Sequence, residues 1–255
     1  MLDHLARHTL LRGPARAASA LALAVMLATP ARALSPVNLR WDACLGDGGV
    51  SNKSFACDTN IGFNTLVGSW VAPMDLFDLV GNDIAVDFGA YMPVMPAWWE
   101  FKNAGACRQN SLSFSAVIPL TAANCVDWAS GQATALVTSY TLGPIPGIAR
   151  LLATTTIPPS LIEIFTGQEY FSFSIRINNL KTVGAGACGA CDVPICIILK
   201  AIDLKRMPPA YEVPLRPANV ADAFVLWQPA PGQTMCARSV PVQNRTWGEV
   251  KSLYR

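Results

Sequence analysis

The chain has 255 residues, 52% of them hydrophobic and 14% charged, with 19 basic and 17 acidic side chains, two histidines and a formal net charge of +2. Both histidines, His4 and His8, lie in the first 33 residues, with Arg7, Arg12, Arg16 and Arg32 against Asp3 alone, so residues 34–255 carry a formal charge of −1. A near-neutral body has no electrostatic footprint for nucleic acid and no basic tract for an anionic membrane. A body without imidazole excludes Ser-His-Asp and Cys-His catalysis built on this chain alone, and lacks the commonest ligand of a catalytic zinc.

Residues 1–33 read as a secretory signal. Three arginines precede an apolar run, Ala17 to Thr29, and Ala31-Arg32-Ala33 supplies the small-x-small cleavage pattern. The run is shorter than the ~20 residues of a comfortable membrane span, and no later run reaches that length. An uncleaved anchor or a buried N-terminal helix is the competing reading. Residues 34–255 are then expected as one exported domain, secreted, periplasmic or at the cell surface.

From there on, short β-rich runs alternate with clusters of Gly, Pro, Asn and Asp. Strands are expected at 37–41, 65–72, 82–91, 111–118, 133–142, 148–157, 170–178, 195–205 and 223–227. Irregular spacing with turn signals between most runs points to an all-β, antiparallel β-sandwich or jelly roll. In the run Tyr170–Ile177, the residues Phe171, Phe173, Ile175 and Ile177 share one parity, and Ser172, Ser174 and Arg176 the other. That alternation describes a half-buried strand with a wet polar face. Ile195–Leu199 is apolar at both parities, as in a central strand or one covered by a loop. Pro158-Pro159-Ser160 would open one short helix over Leu161–Phe165. Thr246-Trp247-Gly248-Glu249 has capping-box spacing for a short C-terminal helix, an edge strand being the alternative. Pro208 to Pro217 reads as a long connection between the last two strands.

All eight cysteines, Cys44, Cys57, Cys107, Cys125, Cys188, Cys191, Cys196 and Cys236, fall after the leader. An even number in an exported protein implies a disulfide framework. Proximity in sequence favours Cys44–Cys57 and Cys107–Cys125, then Cys191–Cys236 with Cys188–Cys196. Cys188-x-x-Cys191 also has the spacing of a redox dithiol, and with Cys196 and Cys236 it could form a four-cysteine zinc site. The surrounding glycines, and Pro194 close behind, mark a loop and favour a structural staple.

The stretches Leu39–Cys44 with Asn52–Cys57, the ending Asn244–Arg255, Cys188-Gly-Ala-Cys191 and Pro194-Ile195-Cys196 resemble a family of uncharacterised exported, cysteine-containing bacterial proteins. The resemblance implies export and disulfides. It implies no activity, since none is assigned to that family.

Carboxylates are the remaining place for chemistry. Asp83 and Asp87 share strand parity, and Glu100 follows the pair Trp98-Trp99. Two carboxylates beside exposed tryptophans would suit sugar binding or glycoside hydrolysis. The alternative places both aspartates on a solvated face and both tryptophans in the core, in line with the usual burial of these residue types. Asp42, Asp47, Asn52 and Asp58 supply oxygens for calcium, although Asp47-Gly48-Gly49 is also an ordinary turn. The expected role is a non-catalytic binding or structural module of the surface or envelope, with a carbohydrate or another envelope protein as partner. A carboxylate glycoside hydrolase or carbohydrate-binding module, and a periplasmic thiol-disulfide protein, are the alternatives.

Overall fold

A computed structural model describes residues 35–118, 124–143, 145–159, 162–231 and 236. The expected leader and the C-terminal helix at Thr246–Tyr254 lie outside the described residues.

The described chain is all-β. Nine strands fall on the nine expected runs: β1 (Val37–Trp41), β3 (Phe63–Val71), β4 (Leu79–Ala90), β5 (Leu112–Ser115), β7 (Thr134–Leu142), β8 (Ile148–Thr156), β9 (Glu169–Asn178), β10 (Ile195–Arg206) and β12 (Phe224–Trp227). Three short strands were not foreseen: β2 (Asn52–Lys53), β6 (Val126–Asp127) and β11 (Val213–Leu215), the last inside the proline-rich connection. Two or three residues carry too little alternation to be recognised as strands.

The strands form two sheets. One has the order β1-β3-β9-β5, with β6 beside β5 on the same flank of β9. The other runs β2-β12-β10-β4-β8-β7, with β11 continuing the β12 side of β10. All pairs are antiparallel except β2–β12 and β6–β9. The inner faces of both sheets merge into one apolar cluster that includes Leu39, Trp70, Val86, Phe88, Ile175 and Ile197. Period-two alternation produces this directly: in β4, Ile84, Val86 and Phe88 face the core, while Asp83, Ala85 and Asp87 face outward.

Two expectations about local structure are corrected. Ile162–Phe165 is not helical; Ile164 forms an antiparallel bridge with Leu76, and both side chains are buried, so this segment closes one end of the core as a strand rung. In β9 the polar parity is not wet: Ser172 and Ser174 are buried and only Arg176 is exposed. A bulge opposite Gly68 and Ser69 breaks the alternation there. It turns Ser172 inward, where its hydroxyl bonds Asn82 Oδ1 across the two sheets at 3.1 Å. Phe171 consequently faces outward and packs with Val67, Cys44 and Cys125 under the loops that cover this sheet. Gly68 is required at the bulge because a Cβ there would collide with the Phe173 ring.

Four disulfides hold the body: Cys44–Cys125, Cys57–Cys191, Cys107–Cys188 and Cys196–Cys236. None of the four pairings expected from sequence proximity forms. The sandwich brings together the ends of strands that are remote in sequence, so the bridges span separations of 81, 134, 81 and 40 residues. In the chain-entropy view each such crosslink, taken singly, removes about 4 to 5 kcal/mol of unfolded-state freedom.

Candidate functional site

The outer face of the seven-stranded sheet carries the carboxylates singled out in the sequence. Asp83 and Asp87 do project from β4 to the same side. Four residues of extended chain separate them by about 13 Å, well beyond the roughly 5–10 Å that a glycosidase pair requires. Asp87 is buried and accepts two bonds from Arg150 of β8, from Nε at 2.6 Å and Nη2 at 2.8 Å. That bond raises the Arg150 guanidinium further above its ordinary value. Glu100 lies elsewhere. Burial, with the Glu100 carboxylate adding to it, pushes the Tyr140 hydroxyl above its ordinary range, and that hydroxyl donates to Trp99 O at 2.6 Å on the core side of β7. The structure therefore does not assemble Asp83, Asp87 and Glu100 into one set.

It assembles a different one. Asp203 of β10 stands directly opposite Asp83. Direct cross-strand neighbours have Cβ atoms about 4.5–5.5 Å apart, where two like charges repel. Cations relieve this: Lys205 Nζ lies 2.9 Å from Asp83 and 2.6 Å from Glu212, and Arg216 Nη1 lies 2.5 Å from Asp203. Thr154 Oγ1 donates to Asp83 at 2.7 Å. Glu212 and Asp83 together raise the Lys205 ammonium above its ordinary value. Beside the pair, Ala85 and Ala201 leave a shallow depression of about 320 Å³ edged by Leu152. Each of the three acids is therefore engaged by a cation of the same face. The sequence carried one sign of this network, Asp203 next to the basic residues Lys205 and Arg206 at the end of β10. Its position across from Asp83 depends on the sheet register.

Trp98 and Trp99 are fully buried and present no face for a ligand to stack on. They sit in an aromatic cluster at one end of the sandwich: Trp98 lies 4.8 Å and Trp99 5.1 Å from Trp227, whose ring stacks on Phe55 at 4.0 Å. Their polar edges are used structurally. Trp98 Nε1 donates to Thr182 Oγ1 at 3.1 Å, and Trp227 Nε1 to Cys191 O at 2.7 Å. Buried Arg108 lies flat on Trp98, 3.5 Å from the ring centre, and donates to the carbonyls of Leu180 (3.1 Å), Trp98 (3.0 Å) and Asn178. Burial lowers its guanidinium to about 9, which leaves it charged at neutral pH. Nothing about its neighbours in sequence marks this arginine as interior.

Cys188 and Cys191 bond to Cys107 and Cys57 respectively, so the two sulfurs of the C-x-x-C do not form one dithiol couple. The same bridges, with Cys196–Cys236, use all four sulfurs of the zinc alternative. The oxygens considered for calcium do not converge either. Asp42 pairs with Lys53, Asp58 is exposed, and Asn52 is in β2. Asp47 accepts the backbone N–H groups of Asn124 at 2.7 Å and Cys125 at 3.2 Å. Among the described residues one cluster has metal-type donors, Cys44, Asp47 and Cys125, and its sulfurs are joined to each other. A buried carboxylate missed in the sequence, Glu169, is likewise structural. It accepts the N–H groups of Leu45 at 3.1 Å and Gly46 at 2.7 Å and the hydroxyl of Ser69. A Cβ at Gly46 would stand 2.8 Å from it.

Among the described residues there are two further open concavities. A groove of about 590 Å³ runs between β5 and β7, with Phe114, Val137 and Tyr140 in its lining and Lys102 as its one charge. A second pocket, about 540 Å³, is bordered by Asp127, Gln132, Glu163, Phe165 and Gln168. Asp127 folds back on its own turn, accepting from Ala129 and Gly131 at 3.0 and 2.7 Å, while Glu163 and Phe165 are exposed. Neither concavity was signalled by the sequence, since both join strand edges or loops remote along the chain.

The chain matches no family model, and comparison with curated proteins finds no match.

Proposed function

We propose that this protein is a non-catalytic binding or structural module of the cell envelope or extracellular space, exported by a cleaved leader and locked there by its disulfides. One observation carries the reading: the residue types that could perform chemistry are engaged in holding the fold. Asp83, Asp87 and Asp203 are ion-paired, Trp98 and Trp99 are core, and all eight cysteines are bridged. Disulfides persist in oxidising compartments, and no helix among the described residues is long and apolar enough to cross a membrane. The resemblance to exported bacterial proteins of no assigned activity agrees with this placement.

Carbohydrate binding is a second reading, favoured by the 540 Å³ pocket. Its exposed Phe165 offers a ring face, Glu163 an acceptor and Gln132 an amide group, the combination that grips sugar hydroxyls while a ring packs on the pyranose. A polysaccharide and glycan binding screen on the oxidised protein, run beside glycosidase and thiol-oxidoreductase assays, tests both readings. Turnover in either assay would end the non-catalytic reading. Glycan binding abolished by Glu163→Gln would select the second.

A further inference from the structure

The 540 Å³ pocket has a charge character that narrows its ligand. Its lining includes two acids, Asp127 and Glu163, and no lysine or arginine among the described residues. Elsewhere on the body Asp78, Asp83, Asp87, Asp203 and Glu212 each meet a cation within 2.9 Å. Asp127 and Glu163 form no ion pair with a described residue. The partners of Asp127 are neutral, the backbone N–H groups of Ala129 and Gly131, and they leave its charge in place. Between residues 109 and 175 the one basic side chain is Arg150, and Asp87 already holds it. An uncompensated negative concavity draws cations and repels anions. Both rims of the pocket are held by local bonds. On one, Ser130 N and Gln132 N donate to the carbonyls of Asp127 and Ala129 at 3.2 and 2.9 Å, and Ser130 and Gly131 take positive φ values of 49° and 80° to close the turn. On the other, Phe165 N donates to Tyr170 Oη at 2.8 Å and Ile164 is bridged to Leu76, which leaves the Phe165 side chain 51% exposed. Groups already placed before a ligand arrives reduce the cost of ordering them.

We infer that this pocket takes a sugar carrying a free, protonated amine, such as a glucosamine unit of a glycan without its N-acetyl group. The ammonium is drawn by Glu163 and Asp127, and the C–H face of the pyranose packs on Phe165. The inference rests on the carbohydrate reading and adds a charge to the sugar. The acids disfavour glycans rich in uronic acid or sulfate, whose anions they repel. A lysine side chain of a protein partner would satisfy the acids, but it would leave the Gln132 amide and the exposed Ser130 hydroxyl without a use. An amino sugar brings hydroxyls for both, and a few placed polar groups of this kind are what fix a ligand's orientation in a small-molecule site.

Calorimetric titration of the oxidised, exported protein at low salt tests it. The probes are a β-1,4-linked glucosamine hexamer with free amines, its fully N-acetylated counterpart, the glucose hexamer of the same linkage, and polygalacturonate. The free-amine hexamer is expected to bind at least about fivefold more tightly than either neutral hexamer, the scale of part-exposed ion pairs, and polygalacturonate should not bind. The preference should fade in high salt, and as pH rises until the sugar amine loses its proton. Glu163→Gln should weaken the free-amine hexamer at least about threefold. Phe165→Ala should weaken charged and neutral hexamers alike. Near-ultraviolet circular dichroism would check that both variants stay folded. Equal binding of the charged and neutral hexamers would overturn the inference and leave the carbohydrate reading standing. Binding of no sugar at all would overturn both. Tetralysine bound as tightly as the free-amine hexamer would show that a bare cation suffices, and would also overturn it.

Discussion

The two ends of the sandwich are closed by different chemistry. At the end where β3, β10 and β12 carry their loops 54–62, 187–194 and 228–231, Cys57–Cys191 and Cys107–Cys188 cross over a packed aromatic cluster with Arg108 beneath. At the opposite end, where β3 passes to β4 and β8 to β9, closure rests on the Leu76–Ile164 bridge and a few hydrogen bonds. Thr166 N donates to Asp75 at 2.7 Å, Phe165 N to Tyr170 Oη at 2.8 Å, and Arg206 pairs with Asp78 at 2.6 Å. Met74, Phe77 and Phe165 are exposed there, each by about half. The first end resists opening through two covalent bonds and a packed aromatic cluster; at the other the buried Leu76 and Ile164 meet through a single bridge, and the nearest disulfide, Cys44–Cys125, lies beside the β6–β9 pairing and does not tie the 72–78 loop to the 157–168 loop. Local stability in a folded chain follows such differences, and mobile binding loops come from its weaker regions.

This contrast can be broken at several points. Among the largest effects is that expected from Cys107→Ala with Cys188→Ala, which should cost up to about 4–5 kcal/mol of unfolding free energy in a denaturant titration. Arg108→Met should cost roughly 3–5 kcal/mol, because it removes three bonds from a charged donor, one of them to the buried carbonyl of Trp98. A loss under about 1 kcal/mol there would mean the arginine is dispensable at the stapled end. At the other end Asp75→Ala should cost only about 1 kcal/mol, yet it should speed hydrogen exchange around residues 72–78 and 162–168 while leaving residues 187–194 protected. Uniform acceleration at both ends would erase the contrast.

The smallest effect belongs to neither end. Lys205 on the outer sheet face is held by Glu212 and Asp83, so its ammonium titrates above its ordinary 10.5. For such a raised group the stabilisation is complete below pH 10.5 and fades as pH climbs through the higher, folded value. Both partners are partly exposed, so Lys205→Met should cost less than about 1 kcal/mol at neutral pH. The difference from the unaltered protein should vanish at strongly alkaline pH. By contrast, opening the buried Arg40–Asp222 pair with Asp222→Ala should cost about 3–5 kcal/mol.

These differences also explain what the sequence could disclose. Strands were legible because alternation and turn residues are local: the nine long runs begin and end within three residues of the observed strands. The parity of Asp83 and Asp87 was legible for the same reason. Register and pairing were not. The bulge that turns Ser172 inward depends on its β3 partner, Asp203 meets Asp83 only once β10 is laid on β4, and cysteines join where strand ends meet in space. Burial of the Trp98-Trp99 pair was the favoured reading over a stacking site, since tryptophan is mostly buried.

The account depends most on sulfur pairing, because the split of Cys188 from Cys191 both staples one end and removes the redox couple. Non-reducing peptide mapping of the natively exported protein by mass spectrometry tests this directly. Fragments linking Cys57 to Cys191 and Cys107 to Cys188 are expected. A fragment closed by Cys188–Cys191, or free thiols at these positions, would contradict it.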